Sequence, residues 1–331
     1  RPGVAGGRPP VLPDSAYNPN VSPTLNTPAT PDRSTVVIGN FDGVHRGHRE
    51  VIERARALDP DLPLVVVTFW PHPASVLTPG REPLLLCSLE RRIELLEQAG
   101  ASQVRVVRFT RELANWSPER FVERVINPLN PAHVVVGRNF RFGHRALGTP
   151  ETLARMGEGR FDVNSLQLLH VKGSSTSSTL IRAAIAEGKM RQAADHLGRD
   201  FDVHQVVVMG DQRGRELGFP TANLVLGAQY AVPADGVYAG WLTPESGPEA
   251  GERLPAAISV GSNPTFDGLE QRIESYVLDR TDLDLYGVEI TVEFVDRLRG
   301  QVKYEGREPL IRQMSHDVEA CRDVLADGPG L

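Results

Sequence analysis

Residues 39–48 form the segment whose residue types and spacing most favour chemistry. They read Gly-Asn-Phe-Asp-Gly-Val-His-Arg-Gly-His and directly follow the short apolar run 36–38. His45 and His48 fall on one side of any helix that begins here, because residues i and i+3 are neighbours on a helix surface. The positive end of such a helix and its free N–H groups attract phosphate. Two positioned histidines there can stabilise the charge that develops on a bridging phosphate oxygen during nucleotidyl transfer.

Three residues of the turn before these histidines are the candidate contacts to a phosphate. Gly39, Phe41 and Gly43 bracket the bend between the apolar run and the expected helix. Glycines at such a bend let backbone N–H groups approach a phosphate closely. A glycine-rich turn or a histidine alone is more often structural, but their combination after a buried strand indicates a phosphate site.

A second candidate phosphate contact lies at residues 177–182, which read Ser-Ser-Thr-Leu-Ile-Arg. The hydroxyls of Ser177, Ser178 and Thr179 can cap the start of a helix and can also bind a phosphate held there. Arg182 follows about one turn later, where its guanidinium fork would reach the same anion. A capped helix with a surface arginine is the alternative interpretation.

Residues 137–143, Gly-Arg-Asn-Phe-Arg-Phe-Gly, follow another apolar run and interleave arginines with aromatic residues. Such a loop suits stacking on a flat ring together with contact to a phosphate. Asn139, Phe140 and Phe142 are therefore candidate ligand contacts. A loop that carries two core phenylalanines would give the same pattern.

A third glycine-rich segment, 214–224, lies in the second half of the chain. Gly214, Arg215 and Gly218 could close over phosphates as a flap. Thr221 and Asn223 face the same side if the chain is extended there, and two neutral oxygens beside phosphates suit a hydrated Mg²⁺. Turn capping is the alternative for these two residues. No GxxxxGK[ST] pattern occurs, which excludes a Walker-type kinase.

Glu274 supplies the context for this segment. It lies within a predicted strand, on the same face as Arg272 and Tyr276 and opposite Ile273 and Ser275. A carboxylate that removes the proton of an attacking hydroxyl is what phosphoryl transfer to an alcohol needs. A surface glutamate paired with Arg272 is the alternative.

The elements that must position these residues in the first half alternate between strands and helices. Short, β-branched apolar runs are typical of strands buried on both faces. They lie at 36–38, 64–69, 104–109, 133–136 and 166–171. Helical patterns follow the histidines, span 88–99 and begin again at Ser117-Pro118. This alternation predicts a parallel sheet whose ligands bind at the carboxyl ends of the strands.

The second half changes character near residue 200. Helical patterns at 177–187 and 189–197 precede strands at 203–209, 236–242, 256–260, 271–279 and 288–297. Five or six antiparallel strands of this kind should close into a small barrel, followed by an amphipathic helix over 307–326. The predicted organisation is an irregular or disordered lead-in over 1–33, an α/β domain over 34–188, a linker helix over 189–199 and a barrel domain over 200–331.

Bulk composition narrows the class of protein. The chain has 331 residues, a formal net charge of −6 and two cysteines, Cys87 and Cys321. The charge gives no general attraction to nucleic acid or to an anionic membrane. Two distant cysteines make neither a disulfide framework nor a zinc pattern, which favours a reducing cytoplasm. No membrane span or signal peptide is expected.

These motifs resemble those of bacterial bifunctional FAD synthetases. GNFDGVHRGH, TFWPHP, GRNFRFG and SSTLIR occur in the order of the family's FMN adenylyltransferase half, which has a Rossmann-like fold. RGRELGFPTANL, DGVYAG, NPTF and RIESYVLD fit the riboflavin kinase half in order. Gly148-Thr149 departs from a frequent Gly-Asp, and the loop 127–131 is unusual. The resemblance covers residues 35–325.

The resemblance implies that riboflavin and ATP give FMN and ADP, and that FMN and ATP give FAD and pyrophosphate, with Mg²⁺ and no covalent intermediate. His45, His48, Ser178 and Arg182 would act on the ATP phosphates. Asn139, Phe140 and Phe142 would contact the flavin of the adenylyltransferase half. Glu274 would be the general base of the kinase, Thr221 and Asn223 would bind Mg²⁺–ATP, and Arg272 is a candidate flavin contact.

Two rival functions remain open from the sequence. One activity alone is the first, since Thr149 could weaken FAD synthesis and leave a riboflavin kinase. A flavin-binding or regulatory protein without catalysis is the second, but binding alone needs none of Glu274, His45 and His48. Whether the chain forms a homo-oligomer is also left open.

Overall fold

The structure, a computed structural model, describes residues 31–167, 170–171, 174–210, 218–265 and 268–326. Gly214 and Arg215 of the expected flap lie outside the described residues, as does almost all of the expected lead-in. Two main sheets organise the described part, a parallel one followed by an antiparallel one.

Five strands form the parallel sheet: β1 (Ser34–Ile38), β2 (Leu64–Trp70), β3 (Gln103–Arg108), β4 (Pro131–Gly137) and β5 (Asp162–Leu166). Their order is β3-β2-β1-β4-β5, and all neighbours are parallel. Val36 and Ile38 point into one apolar core, whereas Val37 points into a second core on the other face. Both faces are therefore covered, which explains the continuous apolar runs and confirms the predicted fold of this half.

Eight helices accompany this sheet in the described part: α1 (Arg46–Arg56), α2 (Pro73–Leu77), α3 (Leu89–Gln98), α4 (Arg111–Ala114), α5 (Pro118–Phe121), α6 (Pro150–Gly157), α7 (Ser178–Ala186) and α8 (Met190–Leu197). A π-helical turn (Val122–Ile126) and a 3₁₀ turn (Asn127–Leu129) extend α5, and a further 3₁₀ turn spans His144–Ala146. Serine hydroxyls cap two of the predicted helices, because Ser88 Oγ accepts from Arg91 N and Ser117 Oγ from Arg120 N.

The predicted fifth strand is misplaced. The apolar run 166–171 suggested it, but β5 ends at Leu166, and His170–Val171 instead pairs with Ser174–Ser175 in a separate antiparallel ribbon (β6 and β7). Since β5 lies at the edge of the sheet and is only partly buried, it carries polar residues and no continuous apolar run.

Six antiparallel strands form the second sheet: β8 (Phe201–Val206), β9 (Ala222–Leu226), β10 (Gly236–Pro244), β11 (Leu254–Thr265), β12 (Gly268–Val277) and β13 (Glu289–Gly300). The order is β8-β13-β10-β11-β12-β9. Val208, just after β8, donates its N–H to the carbonyl of Asn223 in β9 at 2.8 Å. The two end strands therefore meet, and the predicted barrel is nearly closed.

The strands of the barrel alternate between its interior and its outer face. Ile273 is fully buried among interior residues such as Leu224 and Phe294. The terminal helix α9 (Arg307–Ala326) covers part of the outer face, where Val318 and Cys321 pack on Ala239. The predicted terminal helix is thus confirmed. No helix in the described ranges is both long and apolar enough to cross a membrane.

Helices α7 and α8 join the two sheets. Ile181 and Ile185 of α7, and Met190 and Leu197 of α8, are fully buried in the core that fills the barrel. The segment expected to act as a linker helix is therefore a packed part of the barrel's core.

Candidate active sites

The turn between β1 and α1 is tightly bent. Phe41 and Val44 have positive φ values of 52° and 39°, and Gly43 between them has a φ of 78°. Side chains other than glycine rarely adopt this region, and a β-branched residue is a strong outlier there. A Cβ on Gly39 would lie 2.8 Å from the Phe41 ring, so only glycine fits. Such backbone strain accumulates at functional sites.

The two histidines are in contact with each other. His45 is the N-cap of α1, and its Nδ1 accepts the backbone N–H of His48 at 3.3 Å. The two imidazole rings are stacked, with centroids 3.6 Å apart and planes inclined by 14°. The predicted placement of both side chains at the first turn of a helix is thus what the structure has.

Both histidines are held neutral. The pKa of His45 is lowered to about 4, mainly by burial and also by the nearby charges of Arg199 and Arg182. Burial likewise brings the pKa of His48 well below its usual value, assisted by His45 and Arg92. His48 Nδ1 is buried without a hydrogen-bond partner in the structure. Neutral imidazoles can donate hydrogen bonds to phosphate oxygens without the cost of a buried charge.

Asp42, in the same turn, connects three parts of the chain. Its carboxylate, which is almost fully buried, accepts from Arg92 of α3 at 3.3 Å and from Arg182 of α7 at 2.5 Å. It also accepts the N–H of Leu86, and its backbone carbonyl accepts from Ser178 Oγ at 3.2 Å. The two candidate phosphate segments, 39–48 and 177–182, are thereby brought together.

Arg182 therefore has structural partners in addition to any phosphate. Its Nε donates to the carbonyl of Leu84 at 2.5 Å, while the same guanidinium pairs with Asp42. Ser177 is the N-cap of α7 and accepts from Leu180 N at 3.3 Å, whereas Thr179 is exposed. The capped-helix interpretation is thus correct for Ser177, and the phosphate contacts of this segment stay a prediction.

The aromatic loop follows β4, which lies beside β1. Ile38 and Val136 are register partners, so Gly39 and Gly137 leave the sheet side by side. The strand order changes direction between β1 and β4, and ligands of open parallel sheets bind in that crevice. The turn with the two histidines and the loop 137–143 therefore flank one crevice.

The three candidate flavin contacts in this loop differ in exposure. Asn139 is exposed and Phe140 is partly buried, but Phe142 is buried in the core against Phe121. Phe140 stacks on Phe142 with centroids 5.4 Å apart. A Cβ on Gly148 would lie 2.7 Å from the Phe142 ring. The buried Phe142 ring thus supports the more exposed Phe140 ring from the core side. A direct flavin contact of either ring stays a prediction.

The two departures in this half lie at the ends of elements. Thr149 is the N-cap of α6, and its hydroxyl accepts from Thr152 N at 3.2 Å, a task that aspartate performs equally well. Asn130 ends the 127–131 loop with a φ of 45° and accepts the N–H of Ser34. Asparagine tolerates this left-handed conformation better than most residues. Both departures are compatible with the fold.

Thr221 and Asn223, the candidate Mg²⁺–ATP contacts of the barrel, are hydrogen-bonded to each other. Asn223 Nδ2 donates to the carbonyl and the hydroxyl of Thr221 at 3.1 and 3.3 Å. A Cβ on Gly210 would lie 2.4 Å from Asn223 Oδ1, so only glycine allows this approach. Both residues line a cavity of about 40 Å³ together with Ser275, whose buried hydroxyl has no hydrogen-bond partner in the structure. Gly218, with a φ of 88°, ends the expected flap.

Glu274 lies directly opposite Asn223, because the two residues are register partners on β12 and β9. Arg272 and Tyr276 share its face of β12 and are partly buried, whereas Ile273 and Ser275 point inward. The Tyr276 ring contacts Phe219 edge to face, with centroids 5.2 Å apart. The predicted general base and the predicted Mg²⁺–ATP contacts are thus brought to one place.

Sequence reasoning missed three charged residues near the first site: Asp42 and Arg92, which are buried, and Arg199, which is partly buried. Asp42 lies inside the GNFDGVHRGH motif, and its position between two turn residues was the available signal. Arg92 is fully buried and donates to the carbonyls of Asn40 and Phe69. No sequence signal distinguishes it from the exposed arginines of an amphipathic helix.

The fold and the chemistry of these residues define a two-domain transferase. Residues 27–180 match the FAD synthetase family, and residues 197–325 match the riboflavin kinase family. The bifunctional riboflavin kinase/FMN adenylyltransferase of Listeria monocytogenes is 35% identical over 311 residues, which cover 91% of this chain and 97% of the relative. That of Bacillus subtilis is 35% identical over 292 residues, covering 86% and 90%.

A crystal structure from Streptococcus pneumoniae, described as that of a macrolide-efflux protein, has the same fold. Its TM-score is 0.79 at 32% identity, and the match covers 88% of this chain and 95% of that one. The chain belongs to the family of bifunctional riboflavin kinase/FMN adenylyltransferases. It is accordingly a transferase of flavin nucleotide synthesis, with a kinase and a nucleotidyltransferase activity.

Proposed function

We propose that the parallel-sheet domain converts FMN and ATP to FAD and pyrophosphate at the turn between β1 and α1. The observation that carries this assignment is Asp42, which ties the histidine-bearing turn to α7: its carboxylate pairs with Arg182 and its backbone carbonyl accepts from Ser178 Oγ. Hydroxyls, helix N-termini and two neutral imidazoles then face one crevice. All of these groups favour phosphate oxygens over neutral ligands.

In the proposed reaction a phosphate oxygen of FMN attacks the α-phosphorus of ATP. The new P–O bond forms as the bond to pyrophosphate breaks, so negative charge develops on the bridging oxygen that leaves. His45 and His48 donate hydrogen bonds to the reacting phosphates and stabilise this charge. Ser178 and Arg182 hold the phosphates from the side of α7, and no covalent intermediate with the protein is involved.

Three further contacts complete the proposed adenylyltransferase site. Gly39, Phe41 and Gly43 bring backbone N–H groups close to ATP. Asn139 lies by the reacting groups, and Phe140, supported by Phe142, lies against the flavin ring. The buried packing of Phe142 on Phe121 supports its role as the platform beneath Phe140.

We propose that the barrel phosphorylates riboflavin at Glu274. The carboxylate takes the proton of the ribityl 5′-hydroxyl, whose oxygen attacks the γ-phosphorus of ATP as ADP leaves. Arg272 lies on the same face, towards the flavin. The pairing of Glu274 with Asn223 across β12 and β9 supports this role, because base and nucleotide must meet at one point.

Thr221 and Asn223 fit a magnesium ion that arrives with ATP. They offer neutral oxygens, and the glycine at position 210 lets the backbone approach Asn223 closely. The nearby Ser275 hydroxyl is buried and has no hydrogen-bond partner among the described residues. Mg²⁺ is bound in many kinases by few protein oxygens together with the substrate phosphates. When bound, it would neutralise charge on the transferred phosphate. Most of the flap expected from this glycine-rich segment lies outside the described residues.

The proposed domain boundaries remain those given above, with residues 34–188 and 200–331 as the catalytic parts. Each reaction has its own site, so FMN leaves the barrel before it enters the crevice of the parallel sheet.

Both cysteines are buried and free, which supports a cytoplasmic setting.

A chromatographic time course with riboflavin, ATP and Mg²⁺ tests the assignment. We expect FMN to rise first and FAD to follow, because FMN is the product of one site and the substrate of the other. FMN without FAD would restrict the chain to the kinase activity. Bound flavin without any turnover would instead favour a flavin-binding protein.

A further inference from the structure

Arg199 contacts the histidine-bearing turn from outside the parallel-sheet domain. It follows Gly198, which ends α8 in the left-handed conformation with a φ of 78°. Its guanidinium NH1 donates to the carbonyl of Gly43 at 2.9 Å, across a sequence separation of 156 residues. The carbonyl belongs to the strained turn whose neighbours Phe41 and Val44 have positive φ values. Arg199 thus holds the backbone two residues before His45.

Asp202, the second residue of barrel strand β8, fixes the guanidinium of Arg199. Its carboxylate is buried and accepts from Arg199 Nε at 3.2 Å. Arg91 of α3 donates to both oxygens of the same carboxylate, at 3.1 and 3.0 Å. Burial alone would raise the pKa of Asp202, but the charges of Arg199 and Arg91 hold it below its usual value. The carboxylate is therefore ionised and bonded on both sides.

We propose that Arg199 is a positioning residue for nucleotidyl transfer and that Asp202 of the barrel holds it in place. The inference rests on the proposed role of the 39–48 turn. Catalysis at such a turn depends on the placement of the histidines, and a displacement of about 1 Å can cost on the order of 100-fold in rate. The barrel thereby contributes to the adenylyltransferase as well as to its own kinase reaction.

A role limited to holding the two halves together is the competing explanation, and the chain offers a matched control for it. Arg191, on α8, also pairs with an aspartate of the barrel, Asp296, at 2.5 Å. It therefore supplies an arginine–aspartate pair between α8 and the barrel, more exposed than the pair of Arg199 with Asp202, and within the described residues it makes no bond to the turn. Losing either arginine removes one ion pair, but only Arg199→Gln removes the support of Gly43.

The experiment compares full-length Arg199→Gln, Arg199→Lys and Arg191→Gln with the wild type. We expect Arg199→Gln to lower kcat for FAD formation from FMN about tenfold or more, with a smaller change in KM for ATP. Riboflavin phosphorylation by the same preparations should stay within about twofold, which reports that the barrel is folded. Arg199→Lys, which keeps one donor for the carbonyl, should lie between these, and Arg191→Gln should match the wild type.

The pH profile of FAD formation gives a readout that a purely structural role would not move. His45 faces the charge of Arg199, and also His196 of α8, Arg182 of α7 and the stacked His48. Removal of the Arg199 charge should shift the acid limb of the profile to higher pH, since a cation near an imidazole disfavours its protonation.

Two results would overturn the proposal: an unchanged kcat and acid limb in Arg199→Gln, or an equal loss of both activities in that variant. A parallel His48→Ala variant separates this failure from a failure of the proposed site. If His48→Ala still forms FAD at the wild-type rate, the site itself is misassigned, whatever Arg199 does.

Discussion

Asp42 and Arg182 are 140 positions apart in the chain, and their side chains form an ion pair at 2.5 Å. Asp42 lies in the turn that presents the two histidines, and Arg182 lies in the helix that begins with the hydroxyls of 177–179. The same carboxylate also accepts from the fully buried Arg92. One anion therefore compensates two cations and sets the spacing of the two phosphate-binding segments.

Asp42→Asn should destabilise the protein and impair FAD formation. The change leaves Arg92 and Arg182 without a counter-charge, and breaking a buried ion pair from one side costs about 3 kcal/mol or more. Urea unfolding measures this cost. Asp296→Asn is the control: it makes the same substitution in an aspartate that pairs with an arginine, but this partner, Arg191, is more than half exposed. Exposed pairs contribute less than about 1 kcal/mol. Equal effects of the two substitutions would contradict the role of Asp42.

His48→Ala should lower FAD formation from FMN by about 100-fold or more, because one donor to the developing charge is lost. Riboflavin phosphorylation should be unaffected, since Glu274 and Asn223 lie in the other sheet. Separate assays with FMN and with riboflavin as substrate measure the two rates. A parallel fall of both rates in a folded variant would disprove the two-site assignment.

Glu274→Gln should have the reverse effect. Removal of the base should lower FMN formation by about 100-fold or more, whereas conversion of added FMN to FAD persists. Glu293→Gln is a suitable control, because Glu293 is also a glutamate within a barrel strand, and its strand, β13, is adjacent to neither β12 nor β9. A Glu274→Gln variant that still phosphorylates riboflavin at the wild-type rate would exclude Glu274 as the base.

Thr221→Ala should raise the Mg²⁺ concentration needed for riboflavin phosphorylation and leave FAD formation from FMN unchanged. The hydroxyl is one of two neutral oxygens assigned to Mg²⁺–ATP, and it also accepts a hydrogen bond from Asn223 Nδ2. A Mg²⁺ titration of each activity at fixed ATP measures the effect. An identical Mg²⁺ dependence in variant and wild type would remove Thr221 from the metal site.

Stability should fall between pH 6.5 and about 4, in part because of His45. Its pKa is lowered to about 4 in the folded protein, so in this window the unfolded chain binds a proton that the folded chain does not. The free energy of unfolding is therefore unaffected by this histidine above pH 6.5. Below pH 6.5 it falls, by about 2 kcal/mol at pH 5, because protonation favours the unfolded chain.

His45→Asn tests this contribution, because asparagine can still cap α1 but does not titrate. Unfolding by urea at pH 7 and pH 5 should show a smaller loss of stability in the variant than in the wild type. Equal losses would mean that His45 is protonated in the folded protein.

Local patterns were sufficient to predict most elements, because each depends on neighbours in sequence. Ser117-Pro118 predicts the start of a helix. The alternation of polar and apolar residues around Glu274 predicts a strand with two different faces. The prediction placed the fifth strand wrongly, because β5 is an edge strand and lacks the apolar run on which the prediction depended.

The sequence was sufficient to predict which segments form the first site, but not the hydrogen bonds and ion pairs that join these segments. The histidine pair follows from the spacing of the motif. The bonds from Asp42 to Arg182 and from Arg199 to Gly43 join residues at least 140 positions apart, and no periodicity encodes such pairs. Only the folded chain shows which arginines are buried beside the reacting groups.

Helix α7 has a further consequence for how the protein comes apart. Its first turn carries Ser178, which bonds to Asp42, while Ile181 and Ile185 are fully buried in the core of the barrel. A cooperative unit of unfolding follows contiguous buried packing and not the order of activities along the chain. Heat that melts the barrel must therefore also release the hydroxyls of the adenylyltransferase site. FAD synthesis can then survive to no higher temperature than the kinase, although its chemistry takes place in the other sheet.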